Sequence, residues 1–176
     1  MQETEVKILD INRADVEARL AALGAERTFD GTLRAQLFDF EDGHLAKSGN
    51  LLRLRSEGDR IVLTYKGPVD DRQAKVRQEI EVTVSDFDNC RDILAKLGLA
   101  PVLETRKRRT TYRLQAAQIV IDKYAGVYAH IPELLEIEAP DLESIYAVVQ
   151  KLGFRPDDCK PWGLGRIVQH YSRDRR

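Results

Sequence analysis

Three segments of the sequence alternate a pair of glutamates with apolar residues and then run into an amphipathic helix ending in Leu-Gly. Glu3 and Glu5 precede the helical pattern at 12–24, Glu79 and Glu81 the one at 85–98, and Glu136 and Glu138 the one at 141–153. Residues two apart on a strand share a face. The glutamates therefore point one way. Val6, Ile80 and Ile137 point the other way, where the helices should pack. Two carboxylates so placed lie about 6–7 Å apart and repel by roughly 2–3 kcal/mol at an effective dielectric near 20. Three such pairs on one sheet would offset a large share of a domain's stability, which totals about 5–15 kcal/mol. Water relieves the repulsion on an open face. An enclosed face needs cations, either basic side chains or metal ions. On this reasoning Glu5→Gln should leave the fold intact or more stable.

Basic residues recur at the same spacing. Arg53-Leu54-Arg55 alternates, Lys66 closes Leu63-Thr64-Tyr65-Lys66, and the stretch 104–112 carries four consecutive cations, Arg106 to Arg109. One Glu-x-Glu pair alone fits an ordinary solvated face. Three pairs, joined by basic strands of the same pattern, favour a barrel with a polar interior.

The 176 residues favour one domain spanning 1–176, and 43% hydrophobic content is enough for a real core. The 28 basic and 29 acidic side chains give a net charge of −1, which argues against a generic nucleic-acid binder. No apolar run approaches the ~18 residues of a membrane helix. The chain enters a charged strand at once, so no signal peptide is expected and the protein should be cytoplasmic. Cys90 and Cys159 lack metal-ligand spacing and read as free thiols. His44, His130 and His170 are isolated and suggest neither a zinc site nor a triad.

Along the chain, residues 2–11 read as a strand, and Asn12 as the cap of the first helix. A strand within 27–42 precedes a short helical link at 45–49. Residues 50–56 and 60–67 form a hairpin, and 68–75 a polar loop. Strand 76–84 and the second helix follow. Then come a hairpin of 102–114 and 117–124, a strand at 133–139 and the third helix. A last helical segment covers 164–171, and the Arg-rich end reads as a frayed tail. Asp122 is out of step with Ile119 and Ile121, so it should face the charged side. About eight strands, joined mostly by hairpins and hence antiparallel, are enough to close a barrel. The fold class is α+β: a closed eight-stranded antiparallel β-barrel, or tunnel, with helices packed outside.

Glu3-x-Glu5-x-Lys7 resembles the signature of the CYTH superfamily, the triphosphate tunnel metalloenzymes. That superfamily groups class IV adenylyl cyclases with thiamine and inorganic triphosphatases. Leu37-Phe38-Asp39, Arg53-x-Arg55, Lys66, Arg77-x-Glu79-x-Glu81, Lys107-x-Arg109, Asp122 and Glu136-x-Glu138 follow in the family's order. The resemblance implies a tunnel holding a triphosphate and one or two ions of Mg²⁺ or Mn²⁺. It implies Glu3, Glu5, Glu79, Glu81, Asp122, Glu136 and Glu138 as metal-binding acids, carboxylates being the hard ligands these ions prefer. Lys7, Arg53, Arg55, Lys66, Lys107 and Arg109 would grip phosphate oxygens, with Lys160 reaching in from a lid. Glu3, Glu5, Lys7 and Lys66 would take part in catalysis. On a regular strand Arg106 and Arg108 face away from Lys107 and Arg109, so only one pair can point inward. Where family members often have a basic residue followed by Ser-Tyr, this chain has Lys160-Pro161-Trp162.

The resemblance implies an enzyme of the cyclase and thiamine triphosphatase branch. First in order is a class IV adenylyl cyclase-like protein converting ATP to cyclic AMP and pyrophosphate. A thiamine or inorganic triphosphatase comes next, then a non-catalytic module binding nucleotide or polyphosphate. The expected partner is a triphosphate, with no nucleic acid and no membrane. Pairing with a second copy into a homodimer stays open.

Overall fold

The computed structural model describes residues 2–68 and 75–173. The loop read at 68–75 and the Arg-rich end therefore fall almost wholly outside the described residues. In chain order the elements are β1 (Gln2–Ile8), α1 (Arg13–Ala22), β2 (Glu26–Phe40), α2 (His44–Lys47), β3 (Leu51–Glu57), β4 (Arg60–Lys66) and β5 (Lys75–Val84). They continue with α3 (Phe87–Lys96), β6 (Leu99–Leu114), β7 (Ala117–Tyr124), β8 (Leu134–Ala139), α4 (Leu142–Lys151) and α5 (Leu164–Arg173). Every described strand pairing is antiparallel. The order β1-β5-β4-β3-β2-β6-β7-β8 is closed, because β1 pairs with both β5 and β8.

The three helices that follow Glu-x-Glu strands begin and end alike. The side chains of Asn12, Asp86 and Asp141 each accept the N–H of the residue three places on, satisfying a donor the first turn leaves open. The Leu-Gly endings place Gly24, Gly98 and Gly153 at positive φ, the left-handed step that stops a helix.

Two of these helices cover the strands that precede them. Val16, Leu20, Ile145 and Val149 of α1 and α4 pack on Val6, Ile8, Ile119, Leu135 and Ile137, which are buried on the outer face of β1, β7 and β8. The third does not. Cys90 and Leu94 of α3 pack with Phe38, Leu54 and Leu99, over β2, β3 and the start of β6. Ile80, expected under that helix, is 54% exposed, and Val82, in phase with it, 51%. The cause is topological. The strand after α3 joins β2 and β7, so the helix must leave β5 and cross the barrel.

Strand bounds differ by more than two residues at two places. β1 stops at Ile8, ahead of Asp10 at φ 53°. β6 starts at Leu99 and runs through Pro101. A register shift between Leu37 and Phe38 absorbs that proline, which cannot donate to a ladder and suits a bulge.

Candidate functional site: a charged tunnel

The barrel encloses a cavity of about 760 Å³. Its acidic wall is assembled from far-apart segments. β8, β1 and β5 are neighbours, so Glu136 and Glu138, Glu5, and Glu79 and Glu81 line one continuous side. Glu5 lies directly opposite Glu138, and Lys7 opposite Glu136. Glu3 belongs to the same strand, but its side chain lies outside the described residues, as does that of Arg77. The facing wall supplies Arg53 and Arg55 from β3, Arg60 and Lys66 from β4, and Lys107 and Arg109 from β6. Arg106 and Arg108 point away and are exposed.

Two ion clusters organise the tunnel. In the first, the Lys7 ammonium lies 3.0 Å from Glu5 Oε1 and 3.0 Å from Glu136 Oε2. Burial alone would lower the pKa of Lys7, but Glu136 and Glu5 overcome it and hold it above its ordinary value. Burial would likewise raise Glu136, yet Lys7, Arg109 and Lys107 hold it well below the usual carboxylate range. In the second cluster, Arg109 grips Asp122 through two parallel bonds, Nε to Oδ1 at 2.8 Å and Nη2 to Oδ2 at 2.6 Å. Lys107 donates to the same Oδ2 at 2.5 Å. Asp122 is fully buried and does not line the cavity; both its oxygens are engaged by these cations. Burial and Arg109 push Lys107 down to about 8, against Asp122 and Glu136.

On β4 and β5, Lys66 pairs with Glu79 at 2.6 Å and the Thr64 hydroxyl donates to Glu81. The Arg53 guanidinium lies 3.7 Å from Glu79 and 3.9 Å from Glu81. The Nε groups of Arg53 and Arg55 are buried without a hydrogen-bond partner. Buried donors left so are rare and call for an acceptor. Lys160 stands apart. Its backbone exchanges two hydrogen bonds with Lys7, while its ammonium donates to the Asp157 carbonyl and does not line the cavity.

Several lining residues escaped the sequence reading. Glu57 lies in phase with Arg53 and Arg55, and Arg60 in phase with Lys66. The two-residue period carried that signal, but both residues flank a turn, where alternation reads as loop. Leu37, Leu51 and Leu103 also face inward, together with Gly163 and Leu164 from the C-terminal segment. Nothing in the local pattern marked that segment as part of the site.

Asp39, part of the Leu37-Phe38-Asp39 motif, is buried and accepts the backbone N–H groups of Phe40, Leu45 and Ala46. It holds α2 at the end of β2. Those bonds keep its carboxyl below the usual range despite burial.

Among the described residues no three acids, histidines or cysteines converge into a ready metal cage. The donor chemistry still fits a hard divalent ion. Mg²⁺ usually takes one or two protein carboxylates and completes its shell with water and substrate phosphates. Glu5 and Glu138, opposed across β1 and β8, present two such carboxylates. No helix among the described residues is long and apolar enough to cross a membrane.

A Methanocaldococcus jannaschii protein, MJ0240, provisionally named an adenylate cyclase, is 32% identical over 127 residues, 72% of this chain and 73% of that protein. The fold is also similar to the structure of a protein from Vibrio parahaemolyticus provisionally named an adenylate cyclase. That likeness has a TM-score of 0.81 at 17% identity and covers 95% of this chain and 97% of the other. A Hippeastrum protein, HpAC1, provisionally named an adenylyl cyclase and described as having a dominant triphosphatase activity, aligns with a TM-score of 0.64. It is 16% identical, with 92% of this chain and 91% of the other covered. The family profile of the CYTH domain matches residues 1–153, and the chain belongs to that family.

Proposed function

We propose that the chain is a divalent-metal-dependent enzyme acting on a triphosphate, and more narrowly an adenylyl cyclase-like protein. The observation that carries the coarser reading is the pair of buried, unpartnered arginine Nε groups in a tunnel lined by further cations. Charge balance supports the metal. Among the described residues seven basic and six acidic side chains line the cavity, and Asp122 beneath them brings the acids to seven. A triphosphate entering so balanced a space brings uncompensated negative charge, which a divalent cation would neutralise. CYTH tunnel enzymes are in general divalent-metal dependent.

Arg53 and Arg55 present their guanidinium charge to phosphate oxygens, and Lys66, Lys107 and Arg109 add charge along the chain of phosphates. Asp122 fixes the orientation of Arg109 and Lys107. Lys7 lies between Glu5 and Glu136 and helps hold Glu136 ionised. Glu5 and Glu138, with Glu136 and Glu3 nearby on the same strands, would hold the metal. When bound, it would acidify the attacking hydroxyl and offset phosphate charge.

The cyclase reading takes support from the name of the M. jannaschii relative. The activity reported for the Hippeastrum protein keeps triphosphate hydrolysis as a second reading, since both reactions use the same residues. A product assay separates them. Purified protein with Mg²⁺ or Mn²⁺ is offered ATP, thiamine triphosphate and tripolyphosphate in turn, with Glu5→Gln as control. Cyclic AMP and pyrophosphate from ATP are the expected products. Orthophosphate alone would make the protein a phosphohydrolase. Metal-dependent binding without turnover would make it a binding module.

A further inference from the structure

The tunnel is not charged along its whole length. Leu37 and Leu103 are direct partners across β2 and β6, and both face the cavity. Leu51 lies on β3 two residues before Arg53, which is itself opposite Leu37. Going outward along β6, Leu103 lies beyond Lys107. Going outward along β3, Leu51 lies beyond Arg53 and opposite Lys66. Leu164, the first residue of α5, lines the same end and packs toward Tyr124, the partner of Lys107. Side chains from three strands and the C-terminal helix thus form an apolar collar level with Arg53 and Lys66 and outside Lys107.

All four leucines are only half-buried. Leu37, Leu51 and Leu103 face open cavity and join no part of the core, so their apolar surface stays hydrated, an unfavourable state that a ligand group can relieve, while Leu164 packs against the core around Tyr124 and Ile167 and also lines the cavity. A bare phosphate chain cannot relieve it. The β2–β6 register shift falls at this point and leaves Val102 without a partner, so Leu37 and Leu103 stay inward while Phe38 stays in the outer core. Bulges commonly re-aim side chains beside sites. At about 760 Å³ the cavity also lies within the range of pockets that enclose drug-sized organic ligands. The other end offers a single ring, Phe29, which already lies over Gly31: a Cβ there would meet its Cζ at 2.8 Å.

We propose that this collar selects organic esters of triphosphate over inorganic triphosphate, seating the organic group against Leu37, Leu51, Leu103 and Leu164 with the phosphates directed inward. The proposal rests on the triphosphate reading above and adds the substrate class and its orientation. Tripolyphosphate carries more charge than a nucleoside triphosphate, so a purely electrostatic tunnel would prefer it. Preference for the ester isolates the collar.

The test is calorimetric titration in chelator, so that no metal-dependent turnover contributes heat. ATP, thiamine triphosphate and tripolyphosphate are titrated into the native protein and into Leu103→Asn and Leu51→Asn. At least one ester should bind about tenfold or more tightly than tripolyphosphate, the discrimination a small apolar contact affords. Each substitution should shrink that ratio while leaving tripolyphosphate affinity within about threefold. Equal or tighter binding of tripolyphosphate by the native protein overturns the collar and leaves the triphosphate reading intact. Substitutions that weaken all three ligands alike also overturn it. Should no ligand bind in chelator, the same comparison is read with Mg²⁺ restored, and failure of every ligand to bind there too overturns the triphosphate reading itself.

Discussion

Lys107 shows how one side chain's neighbours set the pH range of the whole site. Its pKa lies at about 8 in the folded protein, against an ordinary value of 10.5. It is charged below pH 8 and neutral above. Metal-free tripolyphosphate affinity should therefore fall between pH 7 and 9, and Lys107→Arg, whose charge does not titrate there, should flatten the profile. For stability the sign is opposite. Between pH 8 and 10.5 the unfolded chain holds more protons at this position, so the contribution of Lys107 to stability rises with pH across that window. Asp122 is the companion case. Asp122→Asn leaves Arg109 and Lys107 buried without their counter-charge, and urea denaturation should report a loss of about 3–5 kcal/mol. Glu5 corrects an expectation. The repulsion argument has Glu5→Gln neutral or stabilising, but the Lys7 ammonium already separates Glu5 from Glu136. The substitution should abolish metal-dependent turnover and also lower stability, by about 1–3 kcal/mol for a lost charged hydrogen bond.

Among the elements, β1 and β8 were legible because each carries two messages in phase, acids inward and aliphatics under a helix. β5 carries the same message with a different outcome. Its periodicity fixes which residues share a face, but not which helix covers that face. Coverage follows from strand order, which no local pattern encodes. The difference is measurable. Ile137→Ala, fully buried beneath the helices, should cost about 2–5 kcal/mol by urea denaturation. Ile80→Thr, on the open face of β5, should stay within about 0.5 kcal/mol. The inward choice between Lys107 and Arg106 was likewise open in the sequence, since a bulge anywhere in β6 reverses parity. The bulge lies at the other end, between Leu37 and Phe38, and so leaves Lys107 and Arg109 facing inward.

For the whole molecule, the charged lining was readable from spacing, whereas its division into an acidic and a basic wall was not. Glu5, Glu79 and Glu136 are far apart in sequence and become neighbours only through closure. The leucine collar was hidden for a related reason: isolated leucines on strands read as core. A binder that neutralises the tunnel's buried arginines should stabilise the entire barrel. At a tripolyphosphate concentration about 100 times its dissociation constant, linkage gives about 2.7 kcal/mol. Thermal melts should show a matching rise that added salt diminishes.

Closure of β1 against β5 and β8 also has a consequence for how the chain is made. As the chain leaves a ribosome, β1 has no partner until residues 75–84 emerge, and its second edge stays open until 134–139 follow. At about 5–20 residues per second that interval lasts roughly 7–25 s. Through it, an edge strand bearing Glu5 and Lys7 stays exposed. Charged side chains on an edge discourage pairing with the wrong strand. The residues that line the finished tunnel thus also protect its unfinished seam.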